Sequence, residues 1–228
     1  MCGWVACWGM ADADEAALGE LTAGLAETLR HRGPDDGGVW VDAAAGVGLG
    51  FRRLAIVDLS PLGHQPMASA GGRYVIAFNG EVYNFARLRP ELERLGHSFR
   101  GHSDTEVLLA AFETWGIAAA VERFIGMFAI ALWDRQEQAL TLIRDRLGKK
   151  PLYYGWAGDT FLCGSELKAL RAHPAFDLPV NRDALALFLR HGYIPAPYTI
   201  YQGFYKMTPG TLLTLQSPAE RPNPRAYW

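Results

Sequence analysis

Residues 127–165 read MFAIALWDRQEQALTLIRDRLGKKPLYYGWAGDTFLCGS. Four short apolar runs stand in this stretch: MFAIALWD (127–134), ALTLIRD (139–145), PLYYGW (151–156) and TFLCGS (160–165). Each has the length and the aromatic or aliphatic content of a strand, and turn chemistry separates one from the next. The spacing predicts consecutive antiparallel hairpins.

Toward the N-terminus, GWVACW (3–8) has the composition of a buried strand. Leu18, Leu21, Leu25 and Leu29 follow helical spacing, with Asp14 or Asp12 placed to cap, and RHRGPDDGG (30–38) ends that helix. VGLGFRRLAIVDL (47–59) reads as strand, then loop. YVIAFNGEVYNF (74–85) reads as a strand interrupted by the turn dipeptide Asn79-Gly80. Asn84 is placed to cap a helix carrying Leu88, Leu92 and Leu95, and Pro90 predicts that its regular part starts late. SDTE (103–106) is a capping box, opening a helix with Val107, Leu108, Ala111 and Phe112.

Beyond the hairpins, ELKALRAH (166–173) reads as a short helix and Asn181 caps RDALALFLRHG (182–192). The proline-rich tail that follows reads as a connecting segment with one more strand, TLLTL (211–215). Strands, then helices, then strands, without steady alternation, predict an α+β fold of antiparallel sheets with helices packed on them.

The 228 residues are half hydrophobic, enough for one large domain with a real core. A formal net charge of -2 gives no argument for nucleic acid or an anionic membrane, and no apolar run approaches a membrane span. No signal peptide is read at the N-terminus, so a cytoplasmic location is expected. Three cysteines with no CxxC pair make a disulfide framework or a zinc site a poor expectation, and the histidines show no metal-ligand spacing. Cys7 and Cys163 read as buried thiols.

Cys2 is different, because removal of Met1 would make it the first residue. Its α-amine would then have a reference pKa of ~7.7–8.0, so roughly a tenth to a sixth is free base at neutral pH. Such a group is a general base near its working pH, attached to the same carbon as a thiol. With Met1 in place that nitrogen is an amide and no base.

CGWVACWG, RHRGPDD, FRRLAIVDLSPLGHQPM, AFNGEVYNF, GHSDTEVLLAAFETWG, GMFAIALWD, RDRLGKKPLYY and SELKAL occur in this order. Together they resemble the glutaminase domain of glutamine-dependent asparagine synthetases, a class II, N-terminal-nucleophile amidotransferase family. The resemblance runs from Cys2 to about residue 215, which implies a domain over 2–215 and a linker over 216–228 toward a synthetase domain. It implies a four-layer αββα sandwich, the Ntn-hydrolase fold. Trp4 and His102 are bulkier than is usual in the family, so an effect on packing or pocket shape is expected there.

The resemblance also implies roles. Cys2 matches the nucleophile. Arg53 matches the arginine for the glutamine α-carboxylate, a task that suits a guanidinium fork. Asn79 and Gly80 match the oxyanion hole, although as residues alone they read as a hairpin turn. Glu81 and Asp104 match the groups for the α-ammonium, and backbone groups around Ile56 and Val57 are expected at the side-chain amide. The implied function is hydrolysis of L-glutamine to glutamate and ammonia, with no metal or cofactor for that step. ATP and Mg are expected only in an ATP-dependent synthetase domain, C-terminal or separate, that receives the ammonia for asparagine synthesis. A homodimer is compatible. The alternatives are a glutaminase domain of another class II amidotransferase, or a silent docking or regulatory domain.

Overall fold

Side-chain alternation along the strands places the layers. The computed structural model describes residues 1–11, 13–56 and 58–228. In chain order its elements are β1 (Gly3–Trp8), α1 (Glu15–Glu27), β2 (Asp36–Asp42), β3 (Val47–Arg53), β4 (Met67–Ala68), β5 (Tyr74–Val82), α2 (Phe85–Arg94), α3 (Asp104–Trp115), α4 (Ile117–Arg123), β6 (Gly126–Asp134), β7 (Ala139–Arg144), β8 (Tyr153–Ala157), β9 (Thr160–Gly164), α5 (Leu167–Arg171), α6 (Arg182–His191), β10 (Phe204–Lys206), β11 (Thr211–Leu215) and β12 (Arg225–Ala226). One sheet has the order β10-β8-β9-β1-β3-β2 and the other β12-β11-β7-β6-β5-β4. The strand pairings within them are antiparallel.

Successive side chains of a strand face opposite sides. In β1, Trp4, Ala6 and Trp8 face the other sheet, and Val5 and Cys7 face α1 and α5. In β6, Ala129, Ala131 and Trp133 face inward, while Phe128, Ile130 and Leu132 pack beneath α2, α3 and α4. The result is helix, sheet, sheet, helix: the expected αββα sandwich. Trp8 meets Trp133 edge to face across the two sheets, with centroids 5.2 Å apart. Truncating a buried tryptophan of this kind typically costs roughly 3–5 kcal/mol.

Trp4 is fully buried, and its indole N–H donates to the Ala129 carbonyl at 3.0 Å. The bulky residue therefore ties β1 to β6 with its polar atom satisfied.

Several local expectations need correction. β6 with β7, and β8 with β9, are hairpins, but β7 and β8 lie in different sheets. The crossing is held by Asp145, whose carboxylate accepts from the N–H groups of Leu147, Lys149 and Lys150. β5 is not interrupted at Asn79-Gly80: these residues pair with Ala129 and Phe128. α2 starts at Phe85 with Pro90 inside it, so proline removes a bond without delaying the helix. Asn84 holds the N-cap position as expected, but its side chain makes no cap bond and instead bonds the Arg123 carbonyl and the Ile125 N–H.

Asp14 and Asn181 do cap their helices, and Asp12 lies outside the described residues. In the capping box, Ser103 makes no side-chain cap bond, and Glu106 accepts from Arg100 and Gly101. The segment 216–228, expected as a linker, carries β12 against β11, and the Tyr227 hydroxyl donates to the Arg144 carbonyl at 2.8 Å. Among the described residues no helix is long and apolar enough to cross a membrane.

Candidate active site

Strand alternation also decides which polar side chains meet. Cys2 continues the inward row of Trp4, Ala6 and Trp8, and Arg53 continues that of Val47, Leu49 and Phe51. Asn79 and Glu81 continue the inward row of Val75 and Ala77 in the opposite sheet. The apolar core thus ends where these polar groups begin. A single cavity is lined by Cys2, Arg53, Ile56, Asn79, Gly80, Glu81 and Asp104. Val57 lies outside the described residues.

The Cys2 thiol is half-buried against the inter-sheet core. Its sulfur lies 3.4 Å from the Leu54 N–H nitrogen, which donates to it, and 3.5 Å from the Leu54 carbonyl. The Cys2 carbonyl accepts from Arg32 Nε at 2.9 Å, and Arg32 is braced by Glu166 at 2.7 Å.

Asn79 is 1 % exposed, and its side-chain Nδ2 has no hydrogen-bond partner. Leaving such a donor unpaired costs about 1–3 kcal/mol. A buried, unspent donor in the wall of a cavity is what an oxyanion site requires. Gly80 follows in β5, where a Cβ would overlap the Met127 carbonyl oxygen.

Arg53 is buried, and its guanidinium donates to the carbonyls of Asp58 and Ser60. The loop after β3 wraps it, and Gly63 packs so close that a Cβ there would overlap the guanidinium nitrogen. The other N–H groups of the fork are unassigned by these bonds.

Asp104 opens α3 and is buried, with Oδ2 accepting the Val82 N–H at 2.9 Å. Burial pushes its carboxyl up to about 6; the negative charge of Glu81 adds to this, and the Val82 bond opposes it. A cation between the two carboxylates would relieve both the burial and the repulsion.

Further polar residues that line the cavity were not read as site residues in the sequence. Asp58 accepts from Ser60 and from the His102 N–H, tying the loop to the entry of α3, and these bonds hold its carboxyl below the usual range. Gln65 bridges the loop to Phe78 of β5. Lys150 is nearly buried, with Nζ 3.3 Å from the Met1 sulfur, and burial pushes its ammonium down. Ser103 Oγ is buried and unpartnered. Two of these stand in segments given other roles, Ser103 in a capping box and Asp58 in a loop, and Lys150 stands in RDRLGKKPLYY, which carries only the resemblance. For Gln65 the sequence carries no separate signal.

His31 and His64 are not among the lining residues of this cavity. His31 contacts Glu166 and Lys168, and His64 pairs with Asp36 at 2.7 Å. His102 is exposed. Among the described residues no group of three or more His, Cys, Asp or Glu side chains could hold a metal ion.

The chain is 42% identical over 193 residues to asparagine synthetase [glutamine-hydrolyzing] 3 of Bacillus subtilis (strain 168), covering 83% of this chain and 31% of that protein. It is 37% identical over 217 residues to asparagine synthetase [glutamine-hydrolyzing] 1 of the same organism, covering 95% and 34%. The chain therefore spans about a third of the length of these relatives. The solved glutamine phosphoribosylpyrophosphate amidotransferase from B. subtilis matches all of this chain and 49% of that one, with a TM-score of 0.72 at 20% identity, a likeness of fold. The glutamine amidotransferase domain family matches residues 1–228. With its sandwich and its thiol-bearing cavity set beside that match, the chain belongs to the glutamine amidotransferase domain family.

Proposed function

We propose that this domain hydrolyses L-glutamine to glutamate and ammonia, with Cys2 as nucleophile once Met1 is removed. The observation that carries the reading is the unpartnered, buried Nδ2 of Asn79 in the same cavity as the Cys2 thiol.

The free α-amine of Cys2 takes the thiol proton, directly or through water. The thiolate attacks the side-chain carbonyl carbon, and the C=O electron pair moves onto oxygen. Asn79 Nδ2 and the Gly80 N–H receive that oxyanion. The intermediate collapses, the C–N bond breaks, and the α-ammonium returns a proton to the leaving ammonia. Water, deprotonated by the same amine, then opens the γ-glutamyl thioester to glutamate and free thiol. Arg53 holds the substrate carboxylate; Glu81 and Asp104 hold its ammonium. Backbone groups around Ile56 and Val57 address the side-chain amide. None of these steps calls on a metal or an organic cofactor.

The ammonia passes to a synthetase domain with aspartate as the acceptor, a reading that the names and lengths of the relatives support; ATP and Mg are assigned to that domain as part of the proposal. A cytoplasmic setting suits that chemistry. A homodimer is compatible with it.

The test pairs intact mass with glutamate release. Material lacking Met1 should release glutamate from L-glutamine, and the Cys2→Ala variant should fold but release none. Full activity with Met1 retained, or in Cys2→Ala, would refute the mechanism.

A further inference from the structure

Ser103 stands at the N-cap of α3, with φ -74 and ψ 148, yet its side chain makes no cap bond. Serine at this position ordinarily accepts from a backbone N–H one turn in. Its usual reciprocal partner, Glu106, is engaged with Arg100 and Gly101 instead. The hydroxyl is buried and has no hydrogen-bond partner, and Ser103 lines the cavity that holds Cys2. A buried hydroxyl that makes no bond within the fold is left free for an occupant of the cavity.

The neighbours define that occupant. Asp104 follows Ser103 directly, and the 2.9 Å bond from Val82 to Asp104 fastens this turn beside Glu81 of β5. One wall of the cavity therefore carries two carboxylates and a hydroxyl. An alkylammonium has three N–H donors and no acceptor. Two carboxylates serve two of them, and one oxygen of Asp104 is already shared with Val82.

We propose that Ser103 is the third acceptor for the α-ammonium of the substrate, completing a cage with Glu81 and Asp104 that selects a free amino acid. This assignment rests on the glutamine reading above and adds a binding residue to it. The cage discriminates against ligands of the same carbon skeleton that lack the amine.

The experiment uses the full chain with Met1 removed, as wild type and Ser103→Ala. Steady-state kinetics give KM and kcat for L-glutamine. Competitive inhibition is measured with L-glutamate and with glutarate, which has the same two carboxylates and no amine. In Ser103→Ala, KM for L-glutamine and the inhibition constant of L-glutamate should each rise about tenfold, the loss of one hydrogen bond to a charged group. Glutarate inhibition, kcat and melting temperature should stay unchanged. A fall in kcat at constant KM would place the hydroxyl at the reacting amide and overturn the assignment. Equal weakening of glutarate would overturn it too, and so would a lowered melting temperature, which marks a helix cap. If wild type neither hydrolyses L-glutamine nor binds L-glutamate, the glutamine reading fails and carries this one down. That case is told apart because the wild type, not the variant, is silent.

Discussion

Replacing Asp104 by asparagine should stabilise the ligand-free protein, and by an amount that grows with pH. Asp104 is 6 % exposed, and burial leads the causes that raise its carboxyl from 3.8 to about 6. At roughly 1.4 kcal/mol per pH unit, ionising it inside the fold costs about 3 kcal/mol more than in the unfolded chain. The sign follows from the direction of the change. An acid whose folded value is raised contributes stability fully below its unfolded value, and that contribution is lost as pH rises through about 6. Integrated from about pH 4.5 to about pH 8, the loss is about 2 kcal/mol. Asparagine does not ionise, and its side-chain oxygen can still accept the Val82 N–H. Urea denaturation of wild type and Asp104→Asn at both pH values gives the number directly. The variant's stability relative to wild type should rise by about 2 kcal/mol toward the higher pH. A difference that is flat, or that shrinks toward high pH, would show that Asp104 is not strained by burial. The same residue should govern capture of substrate. In wild type, KM for L-glutamine should rise as pH falls through about 6, because the protonated carboxyl no longer attracts an ammonium, and this pH dependence should vanish in Asp104→Asn.

Asn79→Ala should lower kcat by roughly a hundred- to a thousandfold with little change in KM, the cost of one oxyanion donor. Its melting temperature should not fall, since Nδ2 bonds nothing in the fold and its loss removes an unpaired buried donor; an effect chiefly on KM would remove Asn79 from the oxyanion role. Gly63→Ala should push the Arg53 guanidinium aside, because the added methyl overlaps it. KM for L-glutamine should then rise roughly tenfold, the weight of one charge-assisted contact, and an unchanged KM would detach Arg53 from the substrate carboxylate.

Composition and period made the layers legible in the sequence. GWVACW and MFAIALWD could only be buried strands, since both faces carry apolar residues and each is too short for a core helix. Cys2 stood out as a candidate because a thiol beside a free α-amine is local chemistry, whereas Asn79 became one only through the resemblance of its motif. What the chain order could not disclose is which sheet a strand joins. The crossing between β7 and β8 depends on Asp145 gathering N–H groups that are silent in the sequence. Nor could local rules read Asn79-Gly80 or Ser103 correctly. A turn dipeptide became the middle of a strand because β6 supplied its partners. A capping serine became a cavity wall because the loop after β3 and the turn beside Val82 enclosed it. Propensities act over a few residues, whereas pairing and burial act across the molecule. The sequence by itself marked which residues are candidates for chemistry; the tertiary structure alone decided which of them line one cavity.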